Sequence, residues 1–289
     1  MDNVPYLFCD AVAGTIDRIK DICKQLKPVT HSRISVWKAA FGNHAEHRSS
    51  LSLRIGLDSG KWSYSLLERK GDSGIRFVDF VYLKQLQRKY LQINGIEFRS
   101  LGSDPCNRQQ IVEIINYIAP LVNLADLFLV NEEMNETDLS VLFSYFQRSS
   151  FEGIIAYHYK QCYEELLRIH LHSDCFKKIR INKHGWSPQI QADLQEFVLK
   201  KPFQYVNCDD TNLVFDRPFF EGIFELNPSE KEIKFIGKFS ITLEQLKEFK
   251  QSLQESFDNS TIVWNRKDGV RIVVSYGQSL FIQLFNNSK

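Results

Sequence analysis

Seven histidines and six cysteines are the residues of this 289-residue chain best suited to ligate a metal or attack a carbonyl, so their spacing is the first test of chemistry. Cys9, Cys23, Cys106, Cys162, Cys175 and Cys208 are widely spread and form no C-x-x-C pair, which is the arrangement of reduced, mostly buried thiols. His31, His44 and His47 are the densest histidine group. On a helix His44 and His47 would share a face, but no cysteine or third histidine joins them at zinc-site spacing, and a solvated polar face is expected. His170 and His172 would share a face only in a strand, and their stretch has helical periodicity, where they diverge. Cys208-Asp209-Asp210 sets a thiol beside two acids. Neighbouring carboxylates raise a thiol's pKa and so disfavour a nucleophile, which leaves Cys208 as a core residue and the acid pair as a turn.

Phosphate-cradling, dinucleotide-binding, nucleophile-elbow and zinc-protease motifs do not occur in the sequence. The basic stretches Lys177-Lys178-Ile179-Arg180 and Arg266-Lys267 are short, and exposed strand edges account for them better than a nucleic-acid footprint. With 36 basic and 35 acidic side chains the net charge is +1, which gives no long-range field toward nucleic acid or an anionic membrane. No run reaches transmembrane length and the N-terminus lacks a basic n-region, so a cytoplasmic or nuclear protein is expected. No cofactor, metal, nucleic acid or membrane is called for. Hydrophobic residues are 43% and charged residues 25%, a globular balance.

The elements that must carry these residues are organised around the segment from Phe176 to Leu213. Phe176, Ile179, Ile181, His184 and Trp186 fall at offsets 0, 3, 5, 8 and 10, and Phe203, Val206, Cys208, Thr211 and Leu213 repeat them. That is the spacing of a leucine-rich repeat with other apolar residues in place of leucine. Leu124, Leu127 and Leu129 begin the same pattern, as do Phe151, Ile154 and Ala156, so the starts at 124, 151, 176 and 203 are 27, 25 and 27 residues apart. A further start at Glu230 would put Ile233 and Phe235 in place. Helical patterns fill the gaps: Leu139, Leu142, Phe143 and Phe146; Tyr163, Leu166, Leu167 and His170; and Ile190, Leu194, Phe197 and Val198, the last entered through a Ser187 cap and Pro188. An ordinary α/β domain with evenly spaced elements is the competing reading.

Around this array the chain predicts two other regions. Residues 1–48 read as short helices, with Val4-Pro5, Phe8, Val12 and Ile16, then Ile34, Trp37 and Phe41. Residues 49–105 read as a small antiparallel sheet: Leu51 to Leu57 and Trp62 to Leu66 alternate about Asp58-Ser59-Gly60, Ile75 to Phe80 follows, and Ile93 to Phe98 is a third strand. Gly102-Ser103-Asp104-Pro105 is the linker. Residues 106–289 are the array, opened by a helix with Ile111, Ile114, Ile115, Ile118 and Leu121. It is closed by a helix from Thr242 and Gln245 to Phe257 and by strands at Thr261 to Trp264, Val270 to Val274 and Leu280 to Phe285. The expected fold class is thus α/β with a helical start, a small sheet, a leucine-rich-repeat-like strand–helix array and a β cap.

Val4-Pro5, the helix with Phe8 and Val12, and Trp37 about thirty residues later resemble a degenerate F-box. With VPYLFCDAVAG, VWKAAFGNHAEHR, HGWSPQIQADLQEFVLKKPF and CDDTNLVFD, most of the chain resembles the nematode families of F-box-like and F-box-associated proteins. Val4 stands where leucine is usual. The resemblance implies a non-enzymatic substrate-recognition subunit of a cullin-RING ubiquitin ligase, with Val4, Pro5, Phe8, Val12 and Trp37 in the adaptor-binding helices. Its partners would be the cullin adaptor and a substrate protein. From the repeat register, Ile155, Tyr157, Lys178, Arg180, Asn182, Tyr205, Asn207 and Asp209 would face that substrate on a concave sheet. A scaffold of the same fold without adaptor binding, and an enzyme with an unrecognised site, are the alternatives from other classes.

Overall fold

The computed structural model describes residues 9–10, 12–13, 35–69, 74–99, 104–228, 232–249, 254–257 and 261–286. The protein is a mixed α/β chain that divides into two compact units, residues 1–125 and 126–289. The division falls within one strand, Val122–Leu129 (β6).

In the first unit residues 9–10, 12–13 and the helix Ser35–His47 (α1) are helical. Cys9, Ala13, Ala40 and Phe41 form a small buried core, with Val36 and Trp37 packed on it, because residues three or four apart share one helical face. Ser49–Asp58 (β1) and Lys61–Arg69 (β2) make the expected hairpin, whose turn has Ser59 and Gly60 at positive φ. Ile75–Val78 (β3) and Asp104–Cys106 (β5) pair antiparallel with opposite halves of β2. Phe80, expected in a strand, instead opens a helix, Phe80–Gln85 (α2), because Asp79 caps it by accepting from the Tyr82 N–H at 2.6 Å.

That helix also corrects the expected antiparallel sheet. The chain crosses back through α2 instead of turning tightly, so Leu91–Arg99 (β4) runs parallel to β1 on the side away from β2. Leu51, Leu53, Ile55, Leu66, Ile93, Ile96 and Phe98 are fully buried by this mixed sheet. The helix Arg108–Ile118 (α3) has a capping box between Asn107 and Gln110 and buries Ile111, Ile114, Ile115 and Ile118, as its periodicity predicts.

In the second unit strands and helices alternate: Glu136–Ser144 (α4), Ser150–Ala156 (β7), Gln161–Leu171 (α5), Lys178–Ile181 (β8), Pro188–Lys200 (α6), Tyr205–Asn207 (β9), Val214–Phe215 (β10), Arg217–Glu225 (α7) and Glu232–Phe239 (β11). β7, β8, β9 and β11 are parallel neighbours. The strands Leu280–Asn286 (β15), Val270–Tyr276 (β14), Thr261–Asn265 (β13) and Gln254–Phe257 (β12) continue the sheet antiparallel from β11. The closing helix expected to reach Phe257 stops early. Leu243–Glu248 (α8) keeps the Thr242–Gln245 capping box, but residues 254–257 are recruited to the sheet edge as β12.

The offsets read from sequence match the burial. Phe151, Ile154, Ala156, Phe176, Ile179, Ile181, Trp186, Phe203, Val206, Cys208, Thr211 and Leu213 are all buried. Phenylalanines at offset 0 interleave with aromatic residues near the helix ends. Centroids from Phe146 through Phe151, His170, Phe176, Phe197 and Phe203 succeed one another at 6.0, 5.0, 6.4, 5.7 and 6.4 Å. Each such pair adds about 0.5–1.5 kcal/mol beyond its buried area, so this column ties each strand to the helices before and after it.

Three positions depart from the pattern. His184 is exposed, because Lys183 and Gly185 on either side take positive φ and turn the chain outward. Leu124 is half-exposed and itself has φ +57°. At β11 the register slips by two: Phe235 lies opposite Val206, so the spacing there is 29 residues and not 27. Gly237 then takes the place expected of Phe235, where a Cβ would lie 3.2 Å from the Cys208 sulfur. Glu230 lies outside the described residues.

Candidate functional site

Helices α4 to α7 bury one face of the parallel strands, through Leu139, Tyr163, Leu166, Ile190, Leu194, Phe197, Phe220 and Ile223 among others. The other face carries the alternate residues, which remain part-exposed. Strand pairing aligns them in rows. Gly153, Lys178, Tyr205, Lys234, Gln283 and Val273 form one row. Ile155, Arg180, Asn207, Ile236, Phe281 and Ser275 form the next. Tyr157 and Asn182 follow immediately after β7 and β8, and their backbone N–H groups continue the ladder to Leu129 and Ala156, each at 3.0 Å.

Of the residues expected on this face, Ile155, Tyr157, Lys178, Arg180, Asn182, Tyr205 and Asp209 are part-exposed, whereas Asn207 is buried. Asn207 donates to the Tyr205 hydroxyl at 3.0 Å and accepts from the Asp209 N–H at 3.1 Å, which fixes the end of β9. The run Lys177 to Arg180 is not a strand edge as expected. β8 is paired on both sides, and Lys178 and Arg180 project from the interior of the sheet.

The sequence reading missed the acidic side of this face. Lys178 Nζ lies 2.9 Å from Glu152 and 3.9 Å from Asp126, which it approaches over Gly153. A Cβ at Gly153 would fall 2.7 Å from the Asp126 oxygen and 2.9 Å from the Lys178 Cβ, so glycine keeps this gap open. Burial raises the Asp126 carboxyl pKa and Glu152 adds to that, while Lys178 opposes it. Lys234 and Ile236 were not among the expected residues, although the alternation in EIKFIGKF, which a slip of two leaves unchanged, was the available signal; Gln283 joins their row through β15. Gln283 donates to Glu232 at 2.9 Å, and Lys234 lies 3.3 Å from the same carboxylate.

Most cations of the face are therefore matched internally, with Arg180 the exception. Its guanidinium stands 5.3 Å over the Tyr157 ring and has no ion pair or hydrogen bond among the described residues. Its Nε is buried and unpartnered, as is Asn182 Oδ1 two residues on.

The other candidates have structural explanations. His44 is buried, contrary to the expected solvated face. It bonds Asp10 at 3.1 Å and sits edge-on to Tyr90, whose ring also stacks on exposed His47. Burial lowers its pKa, against the pull of Asp10. His170 lies in α5 between Phe151 and Phe176, and burial lowers its pKa to about 4. Cys208 is fully buried, with burial and then Asp209 raising its pKa, so it is a core thiol as read from sequence. Arg266 is not on an exposed edge; it donates to the carbonyls of Phe224 and Leu226 at 2.9 and 2.6 Å and closes the end of α7. Among the described residues there is no group of three His, Cys, Asp or Glu side chains able to hold a metal.

A cleft of about 310 Å³ lies away from the open face, between the end of α6 and the segment Leu226 to Pro228. Among the described residues no helix is long and apolar enough to cross a membrane. Val12 is half-buried, and Trp37 stacks on Phe41 at 5.7 Å in the small N-terminal core; Val4, Pro5 and Phe8 lie outside the described residues. No protein-family model matches this chain, and neither a curated protein nor a solved structure matches it.

Proposed function

We propose that the protein is a non-enzymatic interaction module, with a leucine-rich-repeat-like array whose open sheet face takes a protein partner. The observation that carries this reading is the row alignment. Tyr157, Lys178, Arg180 and Tyr205 come from three adjacent parallel strands onto a face that the helices leave open. Aromatic side chains lose little entropy on contact and arginine offers a planar charged fork, and both are usual anchors of protein interfaces.

The helical start extends the proposal to an F-box-type substrate-recognition subunit of a cullin-RING ubiquitin ligase. Support comes from the small core of Cys9, Ala13, Ala40 and Phe41 with Trp37 against it, the kind of packing that a short adaptor-binding bundle requires. A pull-down of the full chain with the cullin adaptor, beside a chain starting at Ser49, tests this part. Retention by the full chain and loss by the shorter one is the expected result. If neither binds while both stay folded, the protein is a binding module without ligase function.

A further inference from the structure

We propose that Arg180 is the anchor for an acidic side chain, Asp or Glu, carried by an extended segment of the partner protein. This rests on the reading of the open face as the partner surface and goes beyond it by naming the chemistry recognised.

Arg180 is the one cation of the two rows with no acid matched to it among the described residues. Lys178 is matched by Glu152 at 2.9 Å and by Asp126 at 3.9 Å, and Lys234 by Glu232 at 3.3 Å. Arg180 projects from the middle of the same face, and its neighbours in the row are Ile155 and Asn207, neither of which carries charge. The nearest acid in sequence register, Asp209, lies in the turn after β9 and accepts from the Asp210 N–H at 2.9 Å. The Tyr157 ring offsets part of the hydration that this part-buried guanidinium has lost, and no anion among the described residues offsets the rest. The guanidinium is therefore primed for a carboxylate, which its planar fork can take in a bidentate pair.

Two further features shape the site. Tyr157 lies beneath the guanidinium at 5.3 Å and restricts it, so that less freedom is lost when a carboxylate docks. Arg180 Nε and Asn182 Oδ1 are buried beneath the surface, which leaves the two terminal nitrogens of the guanidinium as the groups that a partner reaches. An extended segment laid over the strands brings its acidic side chain to that fork.

The test is selection of a random peptide library on the immobilised full chain, repeated with Arg180→Gln, Arg180→Glu, Tyr205→Ala and Asp209→Asn, each first checked for an unchanged thermal transition. Selected peptides are expected to share one Asp or Glu position that disappears with Arg180→Gln and becomes Lys or Arg with Arg180→Glu. For one synthetic peptide, replacing that acid by its amide should weaken binding about tenfold, roughly 1.4 kcal/mol. The same replacement should cost nothing in the Arg180→Gln protein. Asp209→Asn should leave affinity intact or improve it.

Peptides that bind and respond to Tyr205→Ala, yet share no acidic position, would overturn the role of Arg180 and leave the surface reading standing. No enrichment, or enrichment indifferent to every open-face substitution, would overturn both.

Discussion

His170 shows how a histidine that looks chemical in sequence can be a pure packing residue. It sits 3% exposed between two phenylalanine rings with its Nε2 unpartnered, and burial holds its pKa near about 4 against an ordinary value of 6.5. Above 6.5 neither the folded nor the unfolded chain binds a proton there, and its contribution to stability is complete. As pH falls below that value the unfolded chain takes up a proton that the folded chain refuses until about 4, so stability is lost across that window. The expected loss is about 2 kcal/mol by about pH 5, and buried His44 acts in the same direction. Urea unfolding at neutral pH and at about pH 5 measures it. His170→Leu should shrink the difference between the two conditions by about that amount; an unchanged difference would mean that His170 is protonated in the folded protein.

Helix starts in the second unit are stitched to the chain leading into the next helix. Glu136, at the start of α4, accepts from the Gln161 N–H at 2.8 Å. Glu164, in the first turn of α5, accepts from the Ser187 N–H at 3.1 Å and also from its hydroxyl. Gln191, in the first turn of α6, donates to the Val214 carbonyl at 2.9 Å. Glu164 is 9% exposed, so its loss leaves buried donors unmet. Glu164→Ala is expected to lower stability by about 1–3 kcal/mol in equilibrium unfolding, with the open-face peptide affinity little changed. A variant as stable as the parent would show that this stitch contributes nothing.

Such links were not legible in the sequence, because they join residues 23 to 25 positions apart through side chains with no motif of their own. The apolar skeleton was legible for the opposite reason: burial on one face forces Ile154, Ile179 and Val206 into a fixed spacing that survives any choice of apolar residue. The same logic yielded Tyr157, Lys178, Arg180 and Tyr205, since alternation places neighbours of buried positions on the opposite face. What it could not give was the repeat spacing at β11, where the longer connection through α7 shifts the strand by two and leaves the apolar alternation intact. It failed at β4, whose pattern is the same whether it pairs parallel or antiparallel; only the intervening helix α2 decides.

At the scale of the molecule, the account assigns contact to one side of the second unit: the open sheet face binds, and the helices on the other face hold the strands in row. Leu199 and Val141 are exposed apolar residues on those helices, at 39% each, and serve as controls for general stickiness. The most direct measurement places a photo-crosslinking amino acid in the full chain, inside cells, at Tyr157, Tyr205 or Lys234 in one set and at Leu199 or Val141 in the other. The account predicts discrete crosslinked protein bands from the first set, reduced by Arg180→Glu, and no discrete band from the second. Bands that arise from the helix positions, with the open-face positions silent, would contradict it.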